Sequence, residues 1–496
     1  MKSFSPKQKI LVNAISSSVQ VVIVGVVYFF LYKFLLNKLG SVQLGIWSLV
    51  LATSSIASLA NLGITSGMVK FIADYEVKKE FHLIGVTIYT AFFSLIFFIS
   101  IIAIVIFFFG EVILQQIITG NNLELALKIL PISVACLCIN TLSGIFTSVL
   151  EGLQKNYIKN IIYSISSLVL LLLAYVLTPK WGLVGVAYAQ LLQSVFIIVL
   201  AFIFSLKYYS IKVFFKNSWS NQVFKKLFNY GAKFQLISLA QMLYEPTTKM
   251  LLGKFGGLEF LGFYEMANRL VSQVRSVIVS ANQVMIPVIA QANITNKQNV
   301  VSIYNKSMSL LLFVSLFFVL ILSIATPSIS LLWIGHIEKQ FIFSSYILIF
   351  STLINIMCGP AYFSFLAEVY LKILLITHLA MAVMNVLFGY IFGYTIGGFG
   401  VVIAWAAALS VGSFWCIYMY QTRQKIINAS IFNKSDYILI IFCFVIASIY
   451  SYFFWNESSK GLLILYAIIS LVVATPFFIL NTNLKKIWYK FKSQTI

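Results

Sequence analysis

Only 9% of the 496 residues carry a charged side chain, and acids are the rarer sign, with 13 Asp and Glu against 34 Lys and Arg. So few charges cannot clothe water-facing domains, which excludes the soluble multidomain enzyme that this length would otherwise suggest. Histidine (3) and cysteine (5) are scarce too. Cys136, Cys138, Cys358, Cys416 and Cys443 all sit in apolar runs without C-x-x-C spacing, which excludes a thiol-ligated metal or redox motif and leaves them as small hydrophobes. No G-x-x-x-x-G-K-[ST] stretch occurs, so no built-in ATPase is expected. Neither a cofactor nor a metal is expected.

What is abundant is apolar. Hydrophobic residues make up 61% of the chain and include 45 phenylalanines, and the mean hydropathy is +0.98. A helix crossing a bilayer needs ~20 such residues, so about fourteen crossings would use nearly the whole supply. The runs place spans near 10–36, 43–69, 82–109, 125–150, 158–178, 182–206, 228–252, 258–289, 307–326, 341–366, 371–394, 398–420, 436–455 and 461–480. The stretch from Ile10 to Leu36 follows Lys2, Lys7 and Lys9 and is too long for a signal-peptide core, so it is expected to be the first span. The remainder is too short for a sizeable domain outside the membrane.

A basic excess of +21 raises nucleic acid as a partner, but with so little polar surface the excess is better read as a signal of orientation. With the N-terminus in the cytoplasm, 23 Lys and Arg fall in inner loops and tails, against five outside: Lys38, Lys180, Lys254, Lys339 and Lys460. One missed span would scramble that ratio. Both termini are therefore expected in the cytoplasm.

Two motif pairs recur at a six-span separation. KLGSVQLGIW (Lys38 to Trp47) matches KFGGLEFLGFY (Lys254 to Tyr264) through Gly40/Gly45 and Gly257/Gly262, an offset of 217. WGLVGVAYA (Gly182, Gly185) matches GGFGVVIAWA (Gly397, Gly400) at an offset of 215. The glycines would permit tight hairpins and close helix approach. The pattern predicts a duplicated six-helix unit, and because six is even the two copies run in parallel. The fold expected is an all-α polytopic membrane protein with an N-lobe over 1–206, an inter-lobe loop over 207–227, a C-lobe over 228–420, and an appendage of two spans with a basic tail over 421–496.

The segment from Leu44 to Tyr75, the segment LLGKFGGLEFLGFYEMANRL (Leu251 to Leu270) and the GLVGVAYA turn resemble the polysaccharide-transport branch of the multidrug/oligosaccharidyl-lipid/polysaccharide exporter superfamily, which includes O-antigen flippases. The resemblance implies two six-helix lobes around a central cavity with alternating access. It implies a polyprenyl-pyrophosphate-linked oligosaccharide as the substrate, carried by undecaprenyl pyrophosphate and moved across a bacterial cytoplasmic membrane. It further implies contacts with membrane lipid and with other polysaccharide-assembly proteins, and no enzymatic activity. Members of the family commonly carry an acid just before LL-x-K-F; here that region reads EPTTKMLLGKF and the nearest acid is Glu245.

Six basic residues fall inside spans: Lys33, Lys128, Lys233, Lys249, Arg269 and Arg275. A charge at the bilayer centre costs at least ~2.5 kcal/mol and needs a cavity or a partner. Span 8 reads NRLVSQVRSVIVSANQ from Asn268, and its Asn268, Arg269, Gln273, Arg275 and Asn282 fall on a broad polar face. The arginines would sit ~16 and ~25 Å along the helix, and their forks suit phosphate. The alternatives are an Arg269 paired with a neighbouring acid and an Arg275 that snorkels. In span 7, Glu245 and Lys249 form an i, i+4 pair with Pro246 between them, which would kink the helix and open a backbone for an ion, or else make a plain outer-end salt bridge. Lys33, Lys128 and Lys233 are expected to snorkel. Glu368 and Lys372 would pair at an inner hairpin, and His378, with Asn385 on the same face, would serve either as a proton relay or as a packing histidine.

Two other functions remain open. A drug exporter of the same superfamily is disfavoured by fourteen rather than twelve spans and by arginines that would repel cations. A membrane glycan polymerase would carry a long outer loop, whereas the longest here is about 15 residues.

Overall fold

The structure is a computed structural model, described here for residues 6–55, 60–207, 219–282, 289, 297–368, 370–426, 434–455 and single positions up to 475. Among the described residues every regular element is a helix. In chain order these are α1 (Pro6–Ser54), α2 (Ile64–Lys78), α3 (Phe81–Gln115), α4 (Asn121–Gly152), α5 (Asn156–Leu206), α6 (Asn221–Met242), α7 (Tyr244–Phe255), α8 (Gly257–Asn282), α9 (Lys297–Trp333), α10 (Lys339–Met357), α11 (Gly359–Ala367), α12 (Leu371–Ile396), α13 (Gly398–Gln424) and α14 (Lys434–Trp455). Eight of them are long and apolar enough to cross a bilayer. Phe107, Phe108 and Leu172 stand more than half exposed on such helices. Water would penalise that surface, while lipid would not.

The chain divides into two compact units, 1–262 and 263–496, with the boundary inside α8. In the first unit, α1 and α5 each hold two helical segments joined at a glycine: Gly40 at φ 80° and Gly182 at φ 56°. In the second unit the same turn recurs at Gly397, φ 74°, between α12 and α13. Gly257, φ 81°, opens α8 in the same way. These are the first glycines of the four motifs, and an L-residue in this backbone region is strained.

The second glycine of each motif serves close packing. A Cβ at Gly45 would lie 1.9 Å from the Leu258 carbonyl oxygen, and one at Gly262 would lie 2.2 Å from that of Ser41. Each glycine thus receives the residue that follows the other copy's turn. Gly185 abuts the Leu177 carbonyl and Gly400 the Phe392 carbonyl, again 215 residues apart. The repeat is therefore present in backbone geometry as well as in letters.

Three spans are broken where hydropathy runs on. The run expected over 43–69 ends as α1 at Ser54 and resumes as α2 at Ile64. Thr53, Ser54 and Ser55 donate their hydroxyls to carbonyls of their own helix, which weakens the ladder. Leu62 and Gly63 then take positive φ, 45° and 73°, and Gly63 meets Gly231 of α6 backbone to backbone. The span expected over 228–252 breaks at Leu243, three residues before Pro246. That places the proline in the first turn of α7, where its missing N–H costs nothing. The span over 341–366 breaks likewise at Cys358, with Pro360 opening α11.

Polar contacts tie α1 to the α4–α5 turn. Asn13 donates to the Gln154 carbonyl and accepts from the Tyr157 amide, while Asn160 donates to Ser16 and Ser17. Asn13 thereby satisfies an α5 amide that Lys155, at the N-cap, leaves without a side-chain acceptor.

Candidate functional site

In the first unit, the break before α7 sets Tyr244 and Glu245 in the opening turn and brings the Lys249 ammonium 2.7 Å from the Glu245 carboxylate. Lys249 is 5% exposed and Glu245 60% exposed, so the pair is a buried cation held by an acid at the surface of this unit. Thr248 donates to the Tyr244 carbonyl across the same turn. Another lysine expected inside a span, Lys128 of α4, pairs with Glu124 one turn earlier.

In the second unit, α8 carries the arginines. Phe260 to Ala267 are buried throughout, while Asn268, Arg269, Ser272 and Gln273 are half-buried and Arg275 is exposed. Arg269 lies 3.6 Å from Glu265 one turn earlier, and that carboxylate is 2% exposed. The pairing with a neighbouring acid is therefore made, in the favourable acid-first order. It still leaves the guanidinium 35% exposed.

Arg275 is not merely snorkelling. Its Nε donates to Asn355 Oδ1 of α10 at 2.9 Å, and the Asn355 amide donates to Ser413 of α13 at 3.0 Å. Nearby in the second unit, the rings of Tyr362 of α11 and His378 of α12 meet edge to face at 5.7 Å. With Nε fixed, the two terminal nitrogens form a fork aimed by its neighbours. Asn385 is fully buried one face down α12 from His378. Asn355, Tyr362 and Ser413 were not legible in the sequence, because a lone amide or hydroxyl in an apolar run gives no signal of its partner. Glu265 could have been found, since it precedes Arg269 by four. The side chains of Lys233, Ser280, Asn282 and Gln283 lie outside the described residues.

Substituting Asn355→Leu should release Arg275, at a cost of about 1 kcal/mol. We expect a lower melting temperature together with reduced activity in whole cells; an unchanged melting temperature would show that Asn355 does not hold the arginine.

The α11–α12 hairpin corrects one expectation. Glu368 does not pair with Lys372. It lies 3.5 Å from Arg423 of α13 and accepts from Gln424, while the Arg423 guanidinium stacks 3.7 Å over the Tyr370 ring. α11 ends at Ala367 and α12 begins at Leu371, so residues 368 and 372 share no helical turn.

Long apolar helices joined through left-handed glycine turns define a polytopic membrane protein. Its fold is that of transporters of the MOP superfamily. It is similar to an inward-facing multidrug resistance MATE family transporter of that superfamily, with 17% identity over 84% of this chain and 99% of the other and a TM-score of 0.72. It is similar also to the lipid II flippase MurJ in an inward closed conformation, with 15% identity over 94% of this chain and 98% of the other and a TM-score of 0.70. A MOP superfamily transporter from Pyrococcus furiosus, described as having a binding pocket of reversed polarity, aligns over 85% of this chain and 96% of its own at 18% identity, TM-score 0.55. Curated protein sequences give no match. Residues 8–293 match the polysaccharide biosynthesis protein family, more than half of the chain, and the protein belongs to that family.

Proposed function

We propose that the protein is a flippase that moves a polyprenyl-pyrophosphate-linked oligosaccharide from the inner to the outer leaflet of a bacterial cytoplasmic membrane, with both termini in the cytoplasm. The observation that carries this reading is the pair of arginines on α8, one beside Glu265 and 35% exposed, the other exposed and oriented by Asn355. A lipid pyrophosphate must take two phosphates through ~30 Å of hydrocarbon, and forked guanidinium donors suit such oxygens better than any other side chain. Family membership supplies the polysaccharide, and the lipid II flippase, which aligns over more of this chain than the multidrug transporter does, supplies the precedent for a lipid-linked cargo. The lobes are those of the repeat, 1–206 and 228–420, with the glycine turns in matching places. They would expose the arginines to one leaflet and then the other, while the polyprenyl tail stays in lipid.

A cationic-drug exporter would need an acid free to meet its substrate, but Glu265 and Glu245 each face a basic partner. Deletion of the gene separates flippase from polymerase. A flippase deletion should remove surface glycan of every length and build up lipid-linked oligosaccharide inside the cell, whereas continued display of single repeat units would assign the protein to polymerisation.

A further inference from the structure

The arginines account for phosphate and leave the sugars unprovided for. Within the first unit, on other helices, lies a cavity of about 370 Å³, within the ~300–1,000 Å³ range of small-molecule sites. One wall is α4, which presents Asn140, Thr141, Thr147, Ser148 and Glu151 to it. Those numbers follow the helical period, so the five side chains form one polar stripe about 16 Å long. Asn61 and Thr65, at the start of α2, face them, with the Thr65 methyl 3.2 Å from where a Cβ on Gly144 would sit. Among the described residues Val69 is the one large apolar side chain in the lining, and none of them is aromatic.

The chemistry of this lining is specific. Thr141 and Thr147 donate their protons to the carbonyls of Leu137 and Gly144 in their own helix, so their oxygens keep acceptor capacity for an outside hydroxyl. The amide of Asn61 is tied to Thr65 and thereby held in place, whereas Asn140 stands exposed with both donor and acceptor. Thr147 and Ser148 are each only 4% exposed, which is costly for polar groups packed among apolar helices. The charges cancel, since Lys159 of α5 forms an ion pair with Glu151. A phosphate would call for net positive charge, a cationic drug for aromatic rings or an unpaired acid, and a lipid tail for apolar walls. A neutral polyol fits all of these features.

We infer that this α2–α4–α5 cavity is a sugar subsite, in which hydroxyl and amide side chains of the N-terminal half receive the glycan of the lipid-linked substrate. The inference rests on the flippase reading and extends it from headgroup to cargo. The sequence signal is N-T-x-x-G-x-x-T-S-x-x-E from Asn140 to Glu151, a polar stripe inside an otherwise apolar span.

The test compares two probes on the purified full-length protein in nanodiscs. One is undecaprenyl pyrophosphate without sugar, and the other is the lipid-linked oligosaccharide extracted from cells that make the protein. Wild type should bind the sugar-bearing carrier about tenfold more tightly, the worth of one or two net hydrogen bonds. In Asn140→Leu/Ser148→Ala that ratio should fall towards one. Ser148→Ala alone, which removes a single hydroxyl, should move it in the same direction if the double variant fails to accumulate. A ratio kept in the variants overturns the inference, as does an equal loss for both probes, which marks a structural role. Binding of radioactive sodium alone that is lost in the variants while the ratio is kept would make this a cation site and overturn it too. If wild type binds neither carrier, the flippase reading itself fails, and the subsite with it.

Discussion

Arg269→Ala should abolish glycan surface display while Arg269→Lys retains part of it. The alanine variant alone is ambiguous, because it takes the cation away from Glu265, a carboxylate only 2% exposed. Removing one partner of a buried pair costs ~3–5 kcal/mol, and the partial exposure of Arg269 places this case at or below the lower end. Part of any loss of display could therefore be loss of protein. The informative variant is Arg269→Ala/Glu265→Gln, which neutralises the acid as well. It should accumulate close to wild-type amounts and still fail to display glycan, by at least a factor of ten, because the guanidinium that meets phosphate is gone. Immunoblotting of membranes alongside surface glycan staining reads both quantities. Wild-type display in the double variant would reduce Arg269 to a structural counter-ion.

The second large effect is one of packing. Gly45→Ala and Gly262→Ala each place a methyl about 2 Å from a backbone carbonyl, and neither Leu258 nor Ser41 can rotate its main chain away. Overpacking commonly costs ~1–3 kcal/mol even where side chains can yield, so this pair should reach or exceed the upper figure. Gly40→Ala is the contrast. Nothing lies within 4 Å of its Cβ, and only the left-handed φ of 80° is strained, at ~1–2 kcal/mol. Fluorescence-detected size exclusion should show Gly45→Ala and Gly262→Ala largely lost as monodisperse protein and Gly40→Ala largely kept. Equal behaviour of all three would mean that the crossing of α1 with the start of α8 is not a close one.

These glycines also mark how far the sequence could be read. The turn at Gly40 and its counterpart at Gly257 were legible because left-handed backbone selects glycine whatever surrounds it, and the recurrence at one offset repeated the signal. Hydropathy located the long helices α3, α4 and α5 because lipid asks only for apolar length. The same indifference hid the break between α1 and α2, where an unbroken apolar run is interrupted by hydroxyls bonding backward and by Gly63 meeting Gly231. Pro246 signalled its break but misplaced it by three residues, since a proline is accommodated in a first turn rather than at a kink's centre. Arg269 was legible as a buried charge with an acid one turn before it. The Arg275–Asn355–Ser413 chain and the Glu368–Arg423 pair were not, because each joins helices tens of residues apart that only the tertiary fold brings into contact.

The central claim is transfer of a lipid-linked glycan between leaflets, and flipping in reconstituted vesicles tests it most directly. Proteoliposomes containing the purified protein and lipid-linked oligosaccharide, extracted from cells that make the protein and loaded on one side, should render that oligosaccharide accessible to an impermeant glycan-binding probe on the opposite side. Protein-free vesicles and the Arg269→Ala/Glu265→Gln variant should not. If the wild-type protein leaves the oligosaccharide on its original side, or lengthens it instead of moving it, the flippase account is wrong.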